Sequence, residues 1–153
     1  MRPTILNPLF AEITALPGLG PKIAPLVARA AGPHVADLLW HLPTGLVDRR
    51  FSPAIADAPE GAIVTLKVRV LEHVKPRIRR LPYKVRCADA SGEIDLVYFH
   101  AKPDWLEKLL PVDTERAISG RIERFREGVQ MPHPDHVVPI EQFASIATVE
   151  PSY

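Results

Sequence analysis

The sequence predicts a mainly β chain: a five-stranded OB-fold Greek-key barrel preceded by a small helical element resembling a helix-hairpin-helix. Three observations carry this. Val64, Leu66, Val68 and Val70 alternate with Thr65, Lys67 and Arg69, the two-residue period of a half-buried strand. Tyr83, Val85 and Cys87 alternate with Lys84 and Arg86, and Asp89-Ala-Ser-Gly92 then turns the chain into a third strand, 94–99. A helical run and two further strand-like runs follow. Three strands, one helix, then two strands is the OB order, a partly open barrel.

Taken in order, residues 1–15 read as a leader with a short helix over 8–14 that presents Leu9 and Ile13 for packing. Leu16-Pro-Gly-Leu-Gly-Pro-Lys-Ile-Ala24 places two glycines two apart before a lysine and a helical pattern. Glycines let a backbone approach a phosphate, and a helix N-terminus offers it free N–H groups. Lys22 would add charge there. A plain turn between packed helices fits the same residues, and Pro25 falls where it can distort the helix. Residues 34–42 read as a second helix, with Val35, Leu38, Leu39 and Leu42 on its apolar face, Trp40 packing and Pro43 as terminator. Asp48-Arg49-Arg50 reads first as an Asp–Arg pair tying its loop to the barrel, second as a phosphate contact.

The barrel segment also carries a local charge. From residue 67 to 86 stand Lys67, Arg69, Lys75, Arg77, Arg79, Arg80, Lys84 and Arg86 against one acid, Glu72, although the whole chain is only +1. Lys75-Pro-Arg-Ile-Arg-Arg-Leu-Pro82 forms a proline-flanked basic tip between the first two strands. Lys67, Arg69, Lys84 and Arg86 fall on the non-apolar side of those strands. OB barrels bind single strands with a charged groove and aromatic platforms, while a merely solvated basic face is the plainer alternative. In the third strand Ile94, Leu96 and Tyr98 share the apolar face and Asp95, Val97 and Phe99 the other. Pro103-Asp-Trp-Leu-Glu-Lys-Leu-Leu110 is helical, with proline first, an early acid, and Leu106 and Leu110 four apart. Trp105 stands at its beginning. Strands 116–126 and 129–131 are joined by Glu127-Gly128. After 136 the strand pattern fades into an exit linker or a strand awaiting a partner. The expected organisation is 1–58 helical element, 59–136 barrel and 137–153 linker.

Composition excludes several classes. One cysteine among 153 residues forbids an internal disulfide framework or a cysteine zinc cage. No apolar run is long enough to span a membrane and no signal-peptide pattern is present, so a cytoplasmic protein without a membrane partner is expected. No Gly-x-x-x-x-Gly-Lys-Ser/Thr occurs, so no nucleotide cradle of that kind exists here. No Ser/His/Asp arrangement suggests a hydrolase. His133, Asp135 and His136 lie close in sequence, but their proline-bearing loop favours packing over metal. No catalytic residue, cofactor or metal site is expected in this chain.

Several motifs in order resemble a known family. Leu19-Gly-Pro-Lys22, Asp37-Leu-Leu-Trp-His-Leu-Pro43, Asp48-Arg-Arg50, Leu96-Val-Tyr-Phe99, Gly120-Arg-Ile-Glu-Arg-Phe-Arg126 and Gln130-Met-Pro-His-Pro134 together resemble the N-terminal wedge region of the RecG helicases. The resemblance covers residues 16–136, and Val149-Glu-Pro-Ser-Tyr153 looks like the junction to a motor. Two departures are Leu46-Val47, where the family has an aromatic, and a longer loop from Phe99 to Trp105. The resemblance implies a bacterial, nucleoid-associated parent that remodels forks in recombination and repair, using ATP and magnesium in a motor outside this chain. It implies branched and single-stranded DNA as partners. It also implies aromatics that stack where the fork parts: Phe99 first, Trp105 second, Tyr98 in the opposite register. Two rivals remain, an OB module docking an acidic peptide such as a single-strand-binding protein's tail, and an RNA-binding OB domain.

Overall fold

The computed structural model describes residues 2–153 as two compact units, one of residues up to Gly45 with Pro151–Tyr153, the other Leu46–Glu150. In the larger unit β2 (Ile63–Val74), β3 (Tyr83–Ala88) and β4 (Glu93–Tyr98) form an antiparallel meander. Helix α3 (Pro103–Leu109) follows, then β5 (Glu115–Arg121), β6 (Glu123–Phe125) and β7 (Gly128–Pro132). β5 returns to pair antiparallel with β2, and β7 runs parallel to β4. These two pairings are the Greek key of the predicted OB-fold, whose five strands lie within one seven-stranded sheet.

The alternation seen in the sequence builds the interior. Leu66, Val70, Val85, Leu96, Ile118 and Met131 are buried together, and Leu106 and Leu110 of α3 join them. Each such side chain contributes about 1.5–3 kcal/mol on burial. Pro103 occupies the first turn of α3, Asp104 lies at its N-terminal end and Lys108 in its last turn, each favourable to the helix dipole. Gly120 is needed for close approach: a Cβ there would lie 2.8 Å from Met131 Sδ and 3.3 Å from the Pro134 backbone.

Three features depart from the expected pattern. A bulge at Leu71 resets the phase of β2, so that Glu72 and Val74 face Arg86 and Lys84. Residues 137–153, read as linker or unpartnered strand, contain β8 (His136–Pro139), paired antiparallel with β5, and the short helix α4 (Phe143–Ile146). They also contain β9 (Val149–Ser152), which pairs with β1 (Gly45–Asp48).

The smaller unit has 3-10 turns over Thr4–Phe10 and Ile13–Ala15, then α1 (Ala24–Ala30) and α2 (Val35–Trp40). Instead of a helix over 8–14, these turns carry the leader, since Pro8 withholds a backbone donor. Pro25 sits in the first turn of α1, where proline is tolerated, so it does not break the helix. His34 and Asp37 form a reciprocal cap at the start of α2. Leu39, Trp40 and Leu42 are exposed, although the sequence suggested packing roles for them.

Candidate nucleic-acid interface

The end of β4 presents the aromatic group that the sequence singles out. Ile94, Leu96 and Tyr98 point into the barrel and Phe99 points out, 48% exposed, as the alternation predicts. Val97, on the outer side, is also buried, beside Pro132 of β7. Phe99 is propped from behind. Its backbone N–H donates to His133 Nε2 at 3.2 Å, and the two rings lie 5.6 Å apart at 31°. His133 in turn donates its backbone N–H to the Val97 carbonyl at 2.8 Å and adopts a left-handed φ of 43°. Trp105, 52% exposed on the first turns of α3, stands edge-on to Tyr98 with ring centroids 6.2 Å apart. Tyr98 is only 5% exposed and offers no open face; it supports Trp105 and His133 from beneath. Burial pushes its phenol above the ordinary range, and burial likewise pushes the Cys87 thiol up to about 12.

The cations divide into two groups. Arg86 is held by Glu72 at 2.8 Å, Asp95 at 3.2 Å and Glu93 at 3.9 Å, and Lys84 reaches Asp95 at 3.9 Å. Asp95's hydrogen bond is the main reason the Arg86 pKa lies above the usual guanidinium value. The outer face of β3 is therefore charge-compensated. The cross-strand register that pairs Arg86 with Asp95 does this, and a count of basic residues between 67 and 86 could not reveal it. Lys75 is likewise paired, with Glu107 at 2.8 Å, and Lys67 lies 4.6 Å above the Phe143 ring of α4. Arg69 and the tip residues Arg77, Arg79 and Arg80 are exposed and form no ion pair among the described residues. The tip, more than the sheet face, carries the available positive charge.

Three exposed residues join these and were not singled out from the sequence. Phe125 and Arg126 form the tip of the β6–β7 hairpin, where Phe125 borders a depression shared with Lys84 and Arg86. Lys102 immediately precedes α3, between Phe99 and Trp105. Their signal was present as an aromatic and cations in predicted turns, but only the fold assigns those turns to the barrel rim.

The charged side chains of Asp48-Arg49-Arg50 are all paired. Asp48 pairs with its neighbour Arg50 at 2.7 Å, and that hydrogen bond draws its carboxyl down to about 2. The tie to the barrel is made by Arg49 instead. Its guanidinium is buried at 6% exposure and donates to Asp135 at 2.9 Å, Ser119 at 3.2 Å and Glu150 at 2.8 Å. Thr65 donates its hydroxyl to the Arg49 carbonyl at 2.6 Å, and His136 lies 2.8 Å from Glu150. His133, Asp135 and His136 thus serve as prop, ion-pair partner and hydrogen-bond partner. In the smaller unit Lys22 is exposed in the turn before α1, and Gly18 supplies the left-handed residue of that turn at φ 87°.

No family model matches the sequence, and no curated protein sequence matches it closely. Solved structures do match. RecG bound to a three-way DNA junction superposes with a TM-score of 0.78 over 95% of this chain at 20% identity, and this chain spans 20% of the length of that one. An asparaginyl-tRNA synthetase from Entamoeba histolytica, in complex with asparaginyl-adenylate, gives a TM-score of 0.46 at 22% identity, over 59% of this chain and 23% of that one. The second OB-fold domain of replication protein A from Methanococcus maripaludis gives 0.41 at 14% identity, over 60% and 96%. The chain shares its fold with the corresponding part of that RecG structure.

Proposed function

We propose that this chain is the branched-DNA recognition and strand-splitting wedge of a RecG-like ATP-dependent helicase acting at forks and junctions in recombination and repair. One observation carries the reading: Phe99 is held half-exposed on His133 at the end of β4, with Trp105 nearby on α3. A rigid ring at a strand end can stack on the last base pair where two arms part. The unpaired arginines of the tip supply attraction for the phosphates, which positions the DNA without reading its sequence. The fold shared with RecG, whose structure was solved on a three-way junction, supports the same assignment.

The motor, its ATP and its magnesium belong to the parent protein, and this chain contributes binding and geometry to the reaction, with no catalytic group of its own. A bacterial cytoplasm, at the nucleoid, is where such a parent would act. No described helix is long and apolar enough to cross a membrane. The test is a titration of the chain with a labelled fork, a single strand, an RNA and an acidic peptide. The reading expects the fork to bind most tightly. Preference for the peptide or the RNA would replace it with one of those two activities.

A further inference from the structure

Next to Phe99 the barrel end contains a cleft of about 280 Å³ between the arginine tip and the loop that leads into α3. Tyr83 and Tyr98, directly opposite one another across β3 and β4, form its buried floor. Leu81 and Pro103 line it, and Arg79 and His100 stand at its exposed edge. Leu81 is an apolar side chain left 53% exposed here, and Arg79 forms no ion pair among the described residues. His100 adopts φ 60°, a conformation uncommon outside glycine. Apolar side chains beside one cation at the rim suit a planar ring carrying an adjacent anion.

We propose that this cleft receives one unpaired nucleotide from a parted DNA strand, its base against Leu81 and Pro103 above the tyrosine floor and its phosphate on Arg79. This rests on the branched-DNA reading and adds a second, separate base site to the Phe99 stacking surface. A nucleotide turned out of the stack has already lost its pairing at a fork, so the cost of extruding it is small there. An acidic peptide suits the cleft poorly, since several carboxylates would share a single arginine.

The test uses forks carrying 2-aminopurine, a fluorescent adenine analogue, at successive positions through the branch, titrated with the 153-residue chain. Emission should change distinctively at one unpaired position. Leu81→Trp fills the cleft from an exposed site, and should abolish that change and weaken fork binding about 5-fold or more, leaving the salt dependence intact. Arg79→Gln should keep the local signal and lower the log–log salt slope by about 1. Equal changes at every unpaired position, or a local signal that survives Leu81→Trp, would overturn the cleft. An acidic peptide that erases the signal while the fork stays bound would assign the cleft to peptide instead. A fork bound with the expected salt dependence but no local signal overturns the cleft alone, whereas no fork binding at all overturns both readings.

Discussion

Phe99 has little structural work to do, because its exposed ring rests on His133 outside the barrel core. Base stacking is worth about 1–3 kcal/mol per base, so Phe99→Ala should weaken fork binding roughly 5- to 150-fold. Its thermal melt should stay close to that of the parent chain, and a large loss of stability with intact affinity would place the ring in the core. Trp105→Ala should lose less affinity, since Trp105 lies on α3 beyond the strand end. Arg49 behaves in the opposite way. Arg49→Ala removes a shared donor from Asp135, Ser119 and Glu150 and should cost about 2 kcal/mol of stability in a denaturant melt, with fork affinity retained. The same contact has a pH signature. The hydrogen bond from Arg49 holds the Glu150 carboxyl below its ordinary value. A depressed carboxyl stabilises the fold above the unfolded pKa, about 4.3, and that stabilisation is lost as pH falls through the folded value. Glu150→Gln should therefore flatten the acid side of a stability–pH curve; an unchanged acid limb would remove Glu150 from the account.

Among the elements, the tip between β2 and β3 is predicted to supply the electrostatics and the β3 face very little. Replacing Arg77, Arg79 and Arg80 together by Gln should lower the log–log salt slope of fork binding by about 3, whereas Arg86→Gln should hardly alter it. Equal losses would mean that the Arg86 ion pairs open on binding. This division was not legible in the sequence. Lys84 and Arg86 sit on the outer face as the alternation predicts, but their neutralisation depends on Glu72 and Asp95 being brought alongside, by the bulge at Leu71 and the β3–β4 register. The strands and α3 themselves were legible, because one apolar face per strand and a proline-led helix leave a local period. β8 and α4 left no such period: four residues paired to β5, and a single helical turn whose Phe143 meets Lys67, are fixed by tertiary contact. Gly120 was visible within a motif, yet only its approach to Met131 explains it. Gly120→Ala should cost about 1–3 kcal/mol through overpacking, read as a lower denaturation midpoint.

For the whole chain, no P-loop occurs in the sequence. Purified chain should show no ATP turnover with or without forked DNA, and turnover that followed point mutations in this chain would contradict that. The contribution proposed for it is instead a rigid edge with charge beside it. The most direct test of that claim is a fluorescence titration of the unmodified chain with a fork and with a linear duplex of equal length across a salt series. The exposed Phe99 at the strand end predicts tighter binding to the fork, and four unpaired arginines of β2 and the tip, Arg69, Arg77, Arg79 and Arg80, predict a log–log slope of about −3 to −4. Equal affinity for fork and duplex, or binding indifferent to salt, would contradict the account.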